Sequence, residues 1–66
     1  MITTVYTSNV PGLARIRVSY DPDLSEFCVR LTGSKGQLLS TYYTDDQDDA
    51  IATAQAMLEH AGAVSQ

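Results

Sequence analysis

The stretch "ARIRVSYDPDLSEFCVRL", residues 14–31, contains two segments in which every second residue is apolar. The apolar positions are Ile16, Val18, Tyr20, Phe27, Val29 and Leu31. The positions between them are Arg15, Arg17, Ser19, Cys28 and Arg30. A period of two with one apolar face is typical of a strand that is buried on one side. The stretch therefore predicts two antiparallel strands, residues 14–20 and 26–31, joined by a loop at residues 21–25.

A further strand is predicted on each side of this pair. Residues 2–8, "ITTVYTS", are rich in β-branched and aromatic residues, and "NVPG" after them has the Pro-Gly order of a type II turn. "TGSKG" predicts a second turn, followed by a strand at residues 37–43. The pattern leaves open whether the first strand joins the sheet. It also leaves open whether Leu38 and Tyr42 or Leu39 and Tyr43 face inward in the fourth strand.

A helix is predicted over about residues 45–61. One apolar stripe recurs at three- and four-residue spacing and consists of Ala50, Ile51, Ala54, Met57, Leu58 and Ala61. Thr44 and Gln47 fit a capping box, and Gly62 fits a C-terminal cap. The predicted fold is α+β: an antiparallel β-meander of three to four strands with one C-terminal helix packed on one face, ββββα, in a single domain spanning residues 1–66.

Composition narrows the functional classes. The chain has 66 residues and a net charge of −4, with one cysteine and one histidine. A lone Cys28 excludes an internal disulfide, and with His60 it falls short of a zinc-binding set. Cys28 is predicted on the outer face of its strand, with no histidine near it in sequence to activate the thiol. We find no catalytic constellation, and we expect a non-enzymatic protein without cofactor or metal.

The chain has no apolar run near the roughly 18 residues that a membrane helix requires. Its first residues, "MITTVYTS", lack the basic and apolar regions of a signal peptide. We therefore expect a cytoplasmic protein with no membrane partner. The acidic balance also argues against nucleic acid as a ligand, because proteins that bind the phosphate backbone carry a cluster of basic residues.

Four aspartates, Asp45, Asp46, Asp48 and Asp49, precede the apolar stripe of the predicted helix. Carboxylates at a helix N-terminus interact favourably with the helix dipole, so a structural role is the first interpretation. An acidic docking surface for a basic protein is the second. "DDQDDAIATAQA" lacks the glycine and the final glutamate of a calcium loop, which argues against a metal site.

The outward face of the predicted sheet carries Arg15, Arg17 and Arg30, with Tyr6, Tyr42 or Tyr43 as candidate neighbours. Arginine together with tyrosine is typical of interaction hot spots. Two alternatives remain open for this face. The first is a solvated surface on which the aliphatic parts of the arginine side chains cover apolar area. The second is a platform on which the bases of single-stranded nucleic acid stack.

In its small size, acidity and lack of a catalytic set, the chain resembles the small accessory proteins of phages and mobile elements, including anti-CRISPR inhibitors. The segments "VPGLARIRVSYDPDLSEFCVRL" and "YYTDDQDDAIATAQAMLEHAG" carry this resemblance. It implies a non-enzymatic module that binds a host protein or protein complex in the host cytoplasm, and it leaves open whether binding inhibits that complex.

Two other functions remain as alternatives: a small nucleic-acid-binding module that uses the arginine face, and a structural or regulatory homodimer. Self-association is expected in any case. A sheet covered by one helix leaves a second face and two strand edges open. A core of this size is also marginal on its own.

Overall fold

The computed structural model describes the backbone of residues 1–64 and the side chains of residues 1–61. Four strands are followed by one helix. They are β1 (Thr3–Val10), β2 (Ala14–Asp21), β3 (Glu26–Gly33), β4 (Leu38–Thr44) and α1 (Gln47–Val64). The strands form one antiparallel sheet in the order β1-β2-β3-β4, so β1 does join the sheet. The predicted α+β fold is confirmed.

The core lies between α1 and the apolar faces of β2 and β3. Val18 pairs with Val29 and Ile16 pairs with Leu31, so the apolar positions of the two strands share one side of the sheet. The buried apolar residues are Ala14, Ile16, Val18, Phe27, Val29, Leu31, Ala50 and Ala54. This confirms the predicted inward face. Ala50 and Ala54 are fully buried, because a methyl side chain lets the helix backbone come close to the sheet.

The turn between β1 and β2 forms as its sequence predicts. The Leu13 amide donates to the Val10 carbonyl at 3.0 Å, with Pro11 and Gly12 at the two central positions. Gly12 has a φ of 76°, which the second central position of a type II turn requires. The Pro-Gly order therefore fixes where β1 ends and β2 begins.

Both edge strands contain an irregularity that changes which side their residues face. In β1 the register shifts between Thr4 and Tyr6, and in the β3–β4 pair it shifts between Leu31 and Thr32. An extra residue in one strand reverses the alternation beyond it. Leu38 therefore pairs with Thr32 on the outer side, although Tyr42 pairs with Val29 on the helix side.

The start of α1 differs from the predicted capping box. The Asp46 side chain accepts hydrogen bonds from the amides of Asp48 at 2.9 Å and Asp49 at 3.3 Å, and its carbonyl accepts from Ala50 at 2.9 Å. Asp46 is therefore the N-cap residue. Thr44 instead accepts a hydrogen bond from the Asp46 amide at 3.3 Å.

The end of α1 also differs from the prediction. The helix continues to Val64, so Gly62 lies inside it and does not cap it. The cap prediction was wrong because Gly62 does not interrupt the helical backbone, and the only glycines with positive φ among residues 1–64 are Gly12 and Gly36.

The helix packs mainly on β2 and β3, with fewer contacts to β4. It covers one side of the sheet, and none of the described elements covers the other side. We call this uncovered side the open face. Within residues 1–64, no helix combines the length and apolar character needed to cross a membrane.

Candidate functional site

The open face carries three of the four cationic residues of the chain. Arg17 of β2 pairs directly with Arg30 of β3, and Arg15 lies two positions along β2 on the same side. Paired residues of an antiparallel sheet have Cβ atoms about 4.5–5.5 Å apart, and like charges at that distance repel. Within residues 1–61 none of the three arginines forms a salt bridge. The group, called here the arginine cluster, therefore has no counter-charge of its own.

Thr4 holds Arg17 in place. The Nε and Nη2 atoms of Arg17 donate to the Thr4 hydroxyl oxygen at 3.1 Å and 2.8 Å. Thr4 reaches the open face because the irregularity in β1 brings it opposite Ser19 instead of leaving it on the helix side. Arg17 is thus oriented by a neutral partner, and its charge remains available for an anionic group.

Arg30 lies near Cys28 and Tyr43 on the open face. Cys28 of β3 pairs with Tyr43 of β4, and Arg30 is the next residue of β3 on the same side of the sheet. The pKa of the Arg30 guanidinium is raised. The largest cause is hydrogen bonding to the Cys28 side chain, followed by the charge of Cys28; Tyr43 adds a smaller effect in the same direction, and desolvation acts in the opposite one. Arginine is cationic at any physiological pH, so the raised pKa leaves the charge of Arg30 unchanged.

Two carboxylates lie at the other end of the open face. Asp21 and Glu26 pair across the ends of β2 and β3, six positions along β2 from Arg15. A strand rises by about 3.3 Å per residue, so the two carboxylates lie roughly 20 Å from Arg15. The open face is therefore basic at one end and in the middle, and acidic at the other end.

The open face is shallowly concave. Together with the loops at its two ends it borders a trough of about 860 Å³. Its centre is polar and contains the arginine cluster, Cys28 and Tyr43, whereas Ile2 and Leu24 add apolar surface at the acidic end. A wide trough of this kind suits an extended or flat partner better than a small molecule, which prefers a deep apolar pocket.

Two of the candidate residues are not on the open face. Tyr6 pairs with the fully buried Val18 and packs against the core, and Tyr42 pairs with Val29. The Tyr42 hydroxyl donates to a carboxylate oxygen of Asp49 at 2.8 Å, which raises the pKa of Tyr42. Of the three tyrosines named as candidate neighbours of the arginines, Tyr6 and Tyr42 thus lie on the helix side of the sheet. Tyr43, which is 57 % exposed, is the tyrosine of the open face.

The four aspartates divide into two pairs. Asp46 caps the helix and Asp49 accepts the Tyr42 hydrogen bond, so both hold α1 in place. Asp45 and Asp48 are exposed, and their carboxylates accept no hydrogen bond within residues 1–61. Asp48 also lies in the first turn of α1, where a carboxylate complements the helix dipole, so the structural interpretation is not limited to the two hydrogen-bonded aspartates. Among the described residues, no group of three or more His, Cys, Asp or Glu side chains is arranged to hold a metal ion.

Sequence reasoning missed the roles of Asp21, Glu26 and Thr4. Glu26 lies inside the predicted strand 26–31 and continues the alternation of Cys28 and Arg30. Asp21, the first residue of the predicted loop, continues that of Arg15 and Arg17, so following the pattern would have found both. Thr4 could not be found this way, because its position depends on an irregularity in β1. Comparison with protein-family models, with curated proteins and with solved structures gave no match.

Proposed function

We propose that this protein is a non-enzymatic interaction module that binds another protein through the open face. The arginine cluster carries the proposal. Three cations lie together on an uncovered sheet without a salt bridge within residues 1–61, although their mutual repulsion costs stability. A partner that presents carboxylates to this face relieves the repulsion.

The residue types support a protein partner. Arginine and tyrosine are enriched at binding hot spots because each joins a broad apolar surface to a polar tip. Arg17 is already oriented by Thr4, which lowers the entropy that binding must remove. The exposed Tyr43 ring lies next to Arg30 and offers an apolar contact beside the charge.

The resemblance to small accessory proteins of phages and mobile elements extends the proposal to the partner. A host protein or protein complex in the host cytoplasm binds the open face, and the accessory protein blocks it by occupying its surface. Inhibition of an anti-CRISPR type is one form of this action. The exposed Asp45 and Asp48 give a second charged surface on the helix side for a complex that surrounds the module.

Affinity capture from a host lysate tests this function when it is combined with matched variants. We expect Arg30→Ala to reduce the captured partner strongly, while Lys35→Ala, which removes the one cation outside the arginine cluster, leaves capture unchanged. Equal capture by both variants and by the unaltered chain would show that the open face is not the docking surface. Asp45→Asn and Asp48→Asn test the helix side in the same assay.

A nucleic-acid-binding module is the second candidate, favoured by the placement of the exposed Tyr43 near Arg30 on an open antiparallel sheet. Single-stranded nucleic acid binds such platforms by stacking bases on aromatic rings above a cationic surface. The net charge of −4 opposes it, because few counterions can be released. We expect no binding of fluorescein-labelled single-stranded DNA or RNA below about 1 µM at physiological salt; submicromolar binding lost in Arg30→Ala would establish this candidate instead.

A further inference from the structure

We infer that two copies of this chain associate through their open faces and form a two-fold symmetric dimer with the helices on its outer sides. The inference rests on the proposed function to the extent that both treat the open face as a docking surface. It adds the identity of one occupant and the symmetry of the contact.

The charge distribution along the strands selects this occupant. Arg15 lies at one end of the open face, and Asp21 and Glu26 lie at the other. A surface with opposite charges at its two ends is complementary to itself when one copy is turned end over end. A partner that is uniformly acidic would satisfy the arginine cluster but would place like charges over Asp21 and Glu26.

The same distribution selects one symmetry axis. Two sheets can stack face to face about a two-fold axis that runs along the strands or across them. An axis along the strands places the arginine cluster of one copy over that of the other. An axis across the strands reverses the strand direction and places Arg15 of each copy over the carboxylates of its partner. Such isologous contacts occur twice in a dimer.

Stacking about the axis across the strands also places arginines of one copy opposite uncharged residues of the other in the middle of the face. If the axis passes between Arg17 and Ser19, these two positions meet across the interface, and Arg30 meets the Cys28 position. Tyr43 lies directly beside Cys28, so its ring is within reach of the partner's guanidinium groups. A guanidinium over an aromatic ring is a favourable cation–π contact. Facing sheets lie about 10 Å apart, which long arginine side chains can bridge.

The area of the face indicates that the dimer is weak. Strands of seven or eight residues at about 3.3 Å per residue, spaced by about 4.8 Å, give a face of roughly 500 Å² per copy. Both copies together bury roughly 1,000 Å², which is near the lower limit of specific interfaces. We therefore expect dissociation in the micromolar range. A weak dimer covers the open face at high concentration and leaves it free for a host protein at low concentration.

Reciprocal charge reversal tests the dimer. Arg15→Glu places a carboxylate over Asp21 of the other copy, and Glu26→Arg places a cation beside Arg15 of the other copy, at both symmetric contacts. Neither side chain has a hydrogen-bond partner within residues 1–61 whose loss would disturb the fold. Sedimentation analysis over micromolar concentrations should show each variant weakened about tenfold or more. An equimolar mixture of the two should associate again, because each variant supplies the charge that the other lacks. Lys35→Glu and Glu59→Arg are the matched controls and should dimerise like the unaltered chain.

The outcomes separate this inference from the proposed function. A chain that stays monomeric at 100 µM, or a dimer that ignores Arg15→Glu and Glu26→Arg, overturns the inferred dimer; the second result would indicate pairing through a strand edge. Neither result affects the capture of a host protein lost in Arg30→Ala. Conversely, a dimer with the expected reciprocal rescue stands even if no host protein is captured. Circular dichroism of each variant confirms that the compared chains are folded.

Discussion

Replacing Asp46 with alanine should destabilise the protein, because Asp46 alone supplies the side-chain cap of α1. Its carboxylate accepts the amide hydrogens of Asp48 and Asp49, two of the four amides that a helix start leaves without helical partners. Alanine removes this acceptor and leaves the backbone bond from Ala50 to the Asp46 carbonyl possible. Loss of an N-cap costs about 0.5–2 kcal/mol, and two accepted bonds favour the upper half of that range.

This loss is large for a chain of 66 residues. Domains have a free energy of unfolding of about 0.05–0.15 kcal/mol per residue, which gives roughly 3–10 kcal/mol here. A loss of about 1 kcal/mol lowers the melting temperature of such a domain by about 4–8 °C. Thermal and urea unfolding followed by helical circular dichroism would measure both quantities. Asp46→Asn keeps an acceptor oxygen and loses only the charge, so it should lie between the unaltered chain and Asp46→Ala.

Asp45→Ala is the matched control, since Asp45 is exposed and accepts no hydrogen bond within residues 1–61. It should cost less than about 0.5 kcal/mol, as surface substitutions usually do. If Asp45→Ala destabilises as much as Asp46→Ala, the effect comes from charge in general and the capping argument fails. It also fails if Asp46→Asn is as damaging as Asp46→Ala, because the two differ in whether an acceptor remains.

Three further predictions concern packing, a turn and alkaline pH. Ala54→Leu should cost about 1–3 kcal/mol by overfilling the contact between helix and sheet, whereas Ala52→Leu on the exposed side of the helix should be nearly neutral in urea unfolding. Gly12→Ala should cost about 1 kcal/mol because φ is 76°, although no neighbouring atom crowds a side chain there. Gly12→Asn should cost less in the same assay, because asparagine adopts positive φ more readily than alanine. The bond to Asp49 raises the pKa of Tyr42 above its ordinary value of 10.0, so its contribution to stability is complete below pH 10.0 and disappears as pH rises through the higher folded-state pKa. Phenolate absorbance should show one tyrosine titrating late, and Tyr42→Phe should remove that step.

The central strands could be predicted closely because each carries one unbroken alternation. Predicted strands at residues 14–20 and 26–31 correspond to Ala14–Asp21 and Glu26–Gly33, and the predicted apolar face is the buried one. A single-residue slip in either strand would expose its whole apolar set, so the pattern also fixes the register. The arginine cluster follows from the same alternation, because residues between buried positions must face outward.

The edge strands could not be predicted to the same degree. Each contains an irregularity that reverses its alternation, and neither irregularity has a sequence signal such as a glycine at the shifted position. This is why the side occupied by Tyr6, and the inward face of the fourth strand, stayed unresolved or were misassigned. In β4 neither proposed pair of residues is wholly correct, since Tyr42 faces the helix while Leu38 faces outward.

The helix start shows a different limit. Thr44 and Asp46 both have side chains that can cap a helix, and the sequence does not say which of them lies at the boundary. The structure starts α1 at Gln47, so Asp46 takes that role and Thr44 supports the turn before it. A boundary error of two residues is small for the fold, yet it decides which aspartates remain free for a partner.

Net charge gives a misleading view of what the open face can bind. The chain carries −4 overall, yet the three arginines outweigh Asp21 and Glu26 on the open face by one positive charge. The excess of carboxylates therefore lies on the remaining surface.

At a distance, two copies repel each other through their total charge, and salt screens this repulsion over a Debye length of about 8 Å at physiological ionic strength. In the inferred dimer, Arg15 of one open face would lie closer than that to the carboxylates of the other. Raising the salt from very low to physiological concentration should therefore favour association of the two copies, whereas a complex held only by the arginine cluster on a polyanion should weaken steadily over the same range.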